Sequence, residues 1–115
     1  MLTIDALKAY GADTAQGMAR CMNNETFYLR LVHMELMDEN FDRLASALSA
    51  GDAKAGFEAA HALKGAVGNL ALTPIYDPVC ALTEKLRGAG DMPDTGDLLP
   101  AIQDALARLR ALAEE

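Results

Sequence analysis

The spacing of apolar and polar residues along the chain predicts helices from one end to the other. Between residues 25 and 50, apolar side chains recur at helical intervals and form one stripe, which predicts a single long helix. The polar residues 38–40 can bend this stretch but include no helix breaker, so we expect the helix to continue through them. The predicted helices cover residues 3–10, 13–22, 25–50, 52–70, 78–87 and 97–113.

These elements predict an all-α fold, an antiparallel four-helix bundle with short amino-terminal helices covering one end. The last four predicted helices form the bundle, and each of them has one apolar side to bury. A chain of 115 residues is long enough for one hydrophobic core that needs no disulfide or metal. We therefore expect residues 1–115 to form a single domain.

The third helix of the bundle has two possible starts after residue 70, each marked by a proline. Thr73-Pro74 and Asp77-Pro78 each fit a cap followed by proline at the first helical position. A helix that began at Thr73 would contain Pro78, which would remove one hydrogen bond and clash with the preceding turn. We therefore expect a short turn over 74–77 and a helix that begins at Pro78.

The central predicted helix has an unusual polar face. With about 100° between successive residues, His61, Lys64, Gly65 and Gly68 lie on one side, and Phe57 lies one turn before the histidine. A solvated helix face normally carries long polar side chains, and each glycine costs roughly 1 kcal/mol relative to alanine. Two glycines beside one histidine leave the imidazole uncrowded and allow a large group, or another protein's backbone, to come close.

These residue types suit a transferable phosphoryl group. An imidazole ordinarily titrates near pH 6.5, so a large fraction of it is neutral and nucleophilic at cytoplasmic pH. Lys64 lies one turn after His61 on the same face, where its ammonium can act as a point charge on phosphoryl oxygens. An uncrowded nucleophile beside a cation therefore predicts a phosphoryl carrier. The plain alternative is an exposed histidine with no function, but it leaves both glycines unexplained.

At these positions the chain closely resembles the histidine-containing phosphotransfer (Hpt) domains, the relay modules of multistep two-component signalling. The run AHALKG at residues 60–65, followed by GNL at 68–70, is similar to their signature. The chain length, the all-helical pattern and the start at Ile4-Asp5 also fit, so the resemblance spans most of the sequence. It departs from the family pattern at Gly56, where a larger apolar residue is usual and where we expect looser packing. It also departs at Ala71, which replaces a common glycine, and at Pro78, where the next helix normally continues.

The resemblance implies a role for each residue of the polar face. His61 would be the phosphoacceptor, and Lys64 would stabilise the phosphoryl group. Gly65 and Gly68 would clear space for a partner, so that the docking surface would centre on them and on Phe57. The sequence leaves open whether Phe57 packs under the amino-terminal helices or is an exposed anchor for a partner.

The resemblance also implies partners and a reaction. The chain would accept a phosphoryl group from the aspartate of a response-regulator receiver domain, within a relay that includes a (hybrid) sensor histidine kinase, and pass it to another receiver. It would need no cofactor of its own, because the partner receiver would supply Mg²⁺. It would not be an enzyme, since the sequence contains nothing similar to an ATP-binding kinase domain. The alternative is a helical interaction module that docks receiver or kinase domains without carrying phosphate.

Charge and composition exclude several other classes of protein. The formal charge of −7 leaves no basic stripe for nucleic acid. No apolar run approaches the ~18 residues of a membrane span, and the amino terminus does not look like a secretion signal. We therefore expect a cytoplasmic monomer, and Met1 and the polar carboxyl end favour a free-standing domain. Cys21 and Cys80 are expected to be free thiols, and no ligand pairs predict a metal site.

Two minor interpretations concern residues outside the polar face. The methionines on the amino-terminal side are interpreted as core filler, because methionine adapts well to irregular gaps. His33 lies between Val32 and Met34 on the apolar side of its helix and is interpreted as a packed or edge histidine. The methionines concerned are Met18, Met22, Met34 and Met37.

Overall fold

The computed structural model describes all residues, 1–115, and contains seven helices and no strands. The predicted all-α class is confirmed. Side-chain caps begin several helices, since the side chains of Thr3, Asp13, Asn24 and Asp52 each accept a hydrogen bond from a first-turn N–H. The helices are α1 (Ile4–Tyr10), α2 (Thr14–Arg20), α3 (Glu25–Glu35), α4 (Asn40–Ala50), α5 (Ala53–Asn69), α6 (Thr73–Leu86) and α7 (Leu98–Glu114).

The core of the fold is a four-helix bundle made by α4, α5, α6 and α7. Helix α5 packs against both α4 and α6, and α6 packs against α7. Helix α1 packs on α2 and α7, and α2 packs on α3. The hydroxyl of Tyr10 in α1 donates a hydrogen bond to the carbonyl of Ala105 in α7 at 2.7 Å. This arrangement confirms the predicted bundle with short helices at its amino-terminal side.

The single long helix predicted over 25–50 is wrong, because the chain turns between α3 and α4. The carboxylate of Asp38 accepts a hydrogen bond from the N–H of Asn40 at 2.8 Å, which satisfies a donor at the start of α4. From α7, the guanidinium of Arg110 donates two hydrogen bonds, of 3.1 and 2.7 Å, to the carbonyl of Leu36. That carbonyl would otherwise be left free at the end of α3. Both groups therefore stabilise a break that contains no glycine or proline.

The predicted helix start at Pro78 is also wrong, because α6 begins at Thr73 and continues through that proline. Pro74 lies in the first turn, where a helix does not need its N–H. Pro78 comes one turn later and removes only the hydrogen bond to the Pro74 carbonyl. Ile75 and Val79 are fully buried on the same side of α6, and their burial outweighs the loss of one hydrogen bond.

Gly51 and Asp52 make the tight connection between α4 and α5. Gly51 has a φ of 72°, a left-handed conformation that ends α4 without the penalty of a Cβ. The carboxylate of Asp52 then accepts a hydrogen bond from the N–H of Ala55 at 3.0 Å. This tight turn determines where α5 begins and hence which of its faces is buried.

The interpretation of the methionines as core filler is wrong for three of the four. Met22, Met34 and Met37 are 81%, 58% and 76% exposed, and only Met18 packs against the core. His33 is exposed too. Met34 and His33 lie on α3, which buries only Tyr28 and Val32. Met22 and Met37 lie in the turns just outside the two ends of α3. None of the seven helices combines the length and apolar character needed to cross a membrane.

Candidate functional site

The imidazole of His61 lies in the middle of α5 and is exposed to solvent. On the opposite side of the same helix, Ala60, Leu63 and Val67 are fully buried. These apolar contacts hold α5 along its length, and the Asp52 cap holds its start. The helix therefore presents the imidazole from a rigid support.

Phe57 is half-buried and lies directly against His61. The two rings stack with centroids 5.6 Å apart and an angle of 14° between their planes. The Arg87 guanidinium lies 5.2 Å from the centroid of the Phe57 ring and forms a salt bridge of 3.1 Å with Glu84. Hydrogen bonds from Arg87, with its charge and a smaller effect of the Lys64 charge, hold the pKa of Glu84 below its usual value. The Phe57 ring also packs against the hydrophobic core, so it is neither fully buried nor freely exposed.

Lys64 is half-buried one turn after His61 and takes part in no salt bridge. It shares an open cleft of about 300 Å³ with His61. Its ammonium is therefore available to an anionic group on the imidazole. No group of three or more His, Cys, Asp or Glu side chains is placed to hold a metal ion.

The two glycines of the polar face have different surroundings. No atom lies within 4 Å of the position that a Cβ on Gly65 would occupy, so this glycine faces open space. A Cβ on Gly68 would lie 2.9 Å from Cε1 of the Tyr76 ring. The space at Gly68 is therefore used within the chain by α6, which the helical periodicity of α5 could not show.

Two residues of the cleft, Tyr76 and Arg20, escape the sequence analysis. The sequence predicts a turn at Tyr76 rather than a helix, so nothing in it indicates that this ring faces α5. Arg20 lies at the end of α2 and donates a hydrogen bond to the carbonyl of Gly68 at 2.9 Å. The residues lining the cleft are Arg20, His61, Lys64, Gly65, Gly68, Asn69 and Tyr76.

Close packing against the end of α5 determines the position of α2. Gly17 is buried, and a Cβ there would lie 2.6 Å from the Tyr28 ring, so the glycine is what lets the ring approach. The Tyr28 hydroxyl donates to the carbonyl of Leu70 at 2.9 Å, and the N–H of Asp13 donates to the carbonyl of Ala71 at 3.0 Å. Burial raises the pKa of Tyr28 to about 12, so its hydroxyl stays protonated and remains a donor.

The departures from the family pattern at Gly56 and Ala71 have local consequences only. Gly56 is buried, and Cδ atoms of Leu86 and Leu48 lie 3.3 and 3.5 Å from where its Cβ would be, so larger neighbours occupy the space. The packing there is close rather than loose. Ala71 has a φ of 54°, a left-handed conformation that glycine adopts at lower cost. Neither residue lines the cleft of His61.

The comparison with protein families agrees with the geometry of this site. The family model of the Hpt domain matches residues 29–112, and the chain therefore belongs to the Hpt domain family. Comparisons with curated proteins and with solved structures gave no match. The matched range includes His61 and Lys64 but begins after α1 and α2.

Membership of the family confirms the resemblance carried by residues 60–65 and 68–70. Hpt domains take part in histidine phosphotransfer within phosphorelays, and they are phosphocarriers rather than enzymes. They generally lack a cofactor of their own and work with receiver domains and histidine kinases.

Proposed function

We propose that this chain carries a phosphoryl group on His61 between two receiver domains. The observation that carries the proposal is the position of His61: an exposed imidazole on a rigid helix, within the matched range, in a cleft that also contains Lys64. Gly65 leaves one side of that cleft open. A bulky phosphorylated partner can approach the ring from there.

The chemistry requires two displacements at phosphorus. A nitrogen lone pair of His61 attacks the phosphorus of a receiver's aspartyl phosphate. The N–P bond forms as the O–P bond breaks, and the departing carboxylate keeps the electron pair. The other ring nitrogen keeps its proton, so the phosphorylated ring carries a positive charge. In the second transfer a carboxylate attacks the same phosphorus, and the electron pair of the N–P bond returns to the imidazole.

In such a transfer the protein contributes mainly positioning and charge neutralisation, and little covalent chemistry. Lys64 would neutralise part of the phosphoryl charge, since no carboxylate occupies its ammonium. The receiver would supply Mg²⁺ together with the acceptor aspartate. Stacking on Phe57 would limit rotation of the His61 ring and keep it oriented toward the partner.

The docking surface would surround the imidazole. Gly65 would admit the partner's backbone, and the exposed edge of Phe57 would provide apolar contact. Gly68 would contribute indirectly, because it seats the Tyr76 ring at the rim of the cleft. We also infer that the protein acts as a cytoplasmic monomer that binds neither nucleic acid nor membrane, as expected for this family and for an acidic chain.

We infer that residues 1–115 form one domain, although the family match begins at residue 29. Side chains of α1 and its flanks, such as Leu2, Leu7 and Tyr10, belong to the same buried cluster as the bundle helices. Helix α2 reaches the cleft itself through Arg20. The amino-terminal helices are therefore an integral part of both the core and the proposed site.

The direct test is transfer of ³²P from one phosphorylated receiver domain, run on the wild type and on two variants. The chain has two histidines, and both are exposed, so His33→Gln is a matched control for His61→Gln. We expect acid-labile, alkali-stable label on the wild type and on His33→Gln, and none on His61→Gln. Label on His61→Gln would assign the phosphoacceptor elsewhere. A folded wild type that binds receivers but takes no label would favour the interaction module instead.

A further inference from the structure

The cleft of His61 contains a second free cation, and it comes from outside the range that the family model matches. Arg20 belongs to α2, whereas the match covers residues 29–112. Its guanidinium lines the same 300 Å³ cleft as His61 and Lys64. The Hpt match therefore does not account for this residue.

The hydrogen bond of Arg20 to Gly68 leaves most of the guanidinium free. An arginine has five N–H donors, and the Gly68 carbonyl is the one acceptor that Arg20 contacts, at 2.9 Å. It forms no salt bridge with any carboxylate. The bond to Gly68 holds the group over the last turn of α5, two turns after His61. The remaining N–H donors are free to bind an anion in the cleft that His61 also lines.

The position of Arg20 is also well determined. The N–H of Asp13, which caps α2, donates to the carbonyl of Ala71 and holds α2 at the end of α5, while the Tyr28 hydroxyl of α3 donates to the carbonyl of Leu70. Gly17, one turn before Arg20, packs against the Tyr28 ring. The hydrogen bond to Gly68 already restrains the exposed Arg20 side chain, so less freedom is lost when it binds an anion.

We propose that Arg20 binds the phosphoryl group carried on His61 and acts together with Lys64. The inference rests on the phosphoacceptor role proposed for His61. A phosphoryl group carries up to two negative charges, and arginine can bind its oxygens with two parallel hydrogen bonds. Arg20 would therefore stabilise the phosphorylated chain relative to the phosphorylated receiver, and so set how far the relay equilibrium lies toward phosphohistidine.

The test separates this role from docking by using phosphoramidate as a chemical donor without any partner protein. The His61 nitrogen attacks phosphorus, the N–P bond of phosphoramidate breaks, and ammonia leaves after taking up a proton. The variants are Arg20→Gln, Arg20→Lys and, as a control for charge, Arg30→Gln. Arg30 is exposed on α3, forms no salt bridge and lines a different depression.

The main readout is the pH titration of the phosphohistidine signal in ³¹P NMR. Loss of a cation that touches the phosphoryl oxygens moves the titration midpoint to higher pH. We expect this shift in Arg20→Gln, partial recovery in Arg20→Lys and no shift in Arg30→Gln. With a phosphorylated receiver, the equilibrium constant for transfer to Arg20→Gln should fall about 3- to 10-fold, the lower range for a charge-assisted hydrogen bond at an exposed site.

A purely structural role for Arg20 would give a different result. The melting temperature of Arg20→Gln would fall, while the ³¹P midpoint and the transfer equilibrium stayed at wild-type values, and this outcome would overturn the proposal. If Arg20→Gln does not fold, the test is NMR of the wild-type protein before and after phosphorylation. Phosphorylation should shift the signal of the Arg20 Nε–H group and leave that of Arg30 in place. An unshifted Arg20 signal would rule out the contact. A wild type that takes no label would instead contradict the role of His61.

Discussion

At the scale of single residues, Gly65 and Gly68 show how one residue type serves two purposes on the same helix face. Gly65 has no neighbour at the position of a Cβ, whereas Gly68 is covered by the ring of Tyr76. Both glycines lower the intrinsic stability of α5. Only Gly68 offsets part of this loss of stability, because the Tyr76 ring packs against it. The open space at Gly65 has no structural use in the isolated protein, which supports its assignment to the docking surface.

Alanine substitutions should separate the two glycines. Gly65→Ala should raise the free energy of unfolding by up to about 1 kcal/mol, because alanine favours the helix and meets no neighbour. The same methyl group should slow phosphotransfer, since it stands on the proposed docking surface. Gly68→Ala should be less stable than Gly65→Ala by about 1–3 kcal/mol, because its Cβ would crowd the Tyr76 ring.

Chemical denaturation of both variants, followed by transfer assays on the folded proteins, measures these effects. Equal stability of Gly65→Ala and Gly68→Ala would contradict the packing of Tyr76 against α5. Unchanged transfer in Gly65→Ala would remove that glycine from the docking surface.

At the scale of elements, the break between α3 and α4 contains an unusual carboxyl group. Glu35 is half-buried at the end of α3, and its Oε2 atom is buried without a hydrogen-bond partner. Burial is the main cause that raises the pKa of Glu35 to about 8, and the nearby Asp38 carboxyl adds to the shift. The folded protein therefore holds a proton on Glu35 at pH values where the unfolded chain has released it.

This proton makes stability depend on pH. Between the ordinary carboxyl range and pH 8 the folded state binds more protons than the unfolded state, so the free energy of unfolding should fall as pH rises from 5 to 8. Glu35→Gln cannot ionise and should flatten that slope. Glu58→Gln, on an exposed residue without a salt bridge, should leave it unchanged. Urea unfolding at pH 5, 6.5 and 8 measures the slopes, and equal slopes in the wild type and Glu35→Gln would disprove the assignment.

Helix boundaries are predictable where the signal is local. Asp52 caps α5 through the N–H of a residue three positions further along, and Gly51 ends α4 through its own backbone angle. The break after α3 depends on Arg110, which is 74 positions away from Leu36 in the sequence. Pro78 lies inside α6 because tertiary burial outweighs a local preference. Long-range contacts of this kind leave no trace in the periodicity of a single segment.

The residues of the candidate site also divide into those that local spacing predicts and those that long-range packing places. His61, Lys64 and Gly65 lie on one helix, so their spacing along the chain is enough to predict that they lie close together. Arg20 and Tyr76 reach the cleft from α2 and α6. Their approach depends on how α2 and α6 pack against the end of α5. Sequence reasoning can therefore find the residues proposed to react, but not the ones that enclose them.

At the scale of the whole molecule, the site combines three helices on an acidic protein. Helix α5 supplies the imidazole, while α2 and α6 close one end of the cleft around it. The chain has a net charge of −7, yet the cleft itself contains Lys64 and Arg20 and no carboxylate. A local positive charge on an acidic surface favours the approach of an anionic group at this point of the molecule.

The measurement that tests the central claim most directly is a relay with two receivers. The wild-type protein is phosphorylated by one receiver, separated from it, and mixed with a second receiver in the presence of Mg²⁺. We predict that the label moves from His61 to the second receiver much faster than it is lost to water. A second receiver whose acceptor aspartate is replaced by asparagine should leave the label in place. Release of inorganic phosphate at one rate, with or without the second receiver, would contradict a carrier role for this protein.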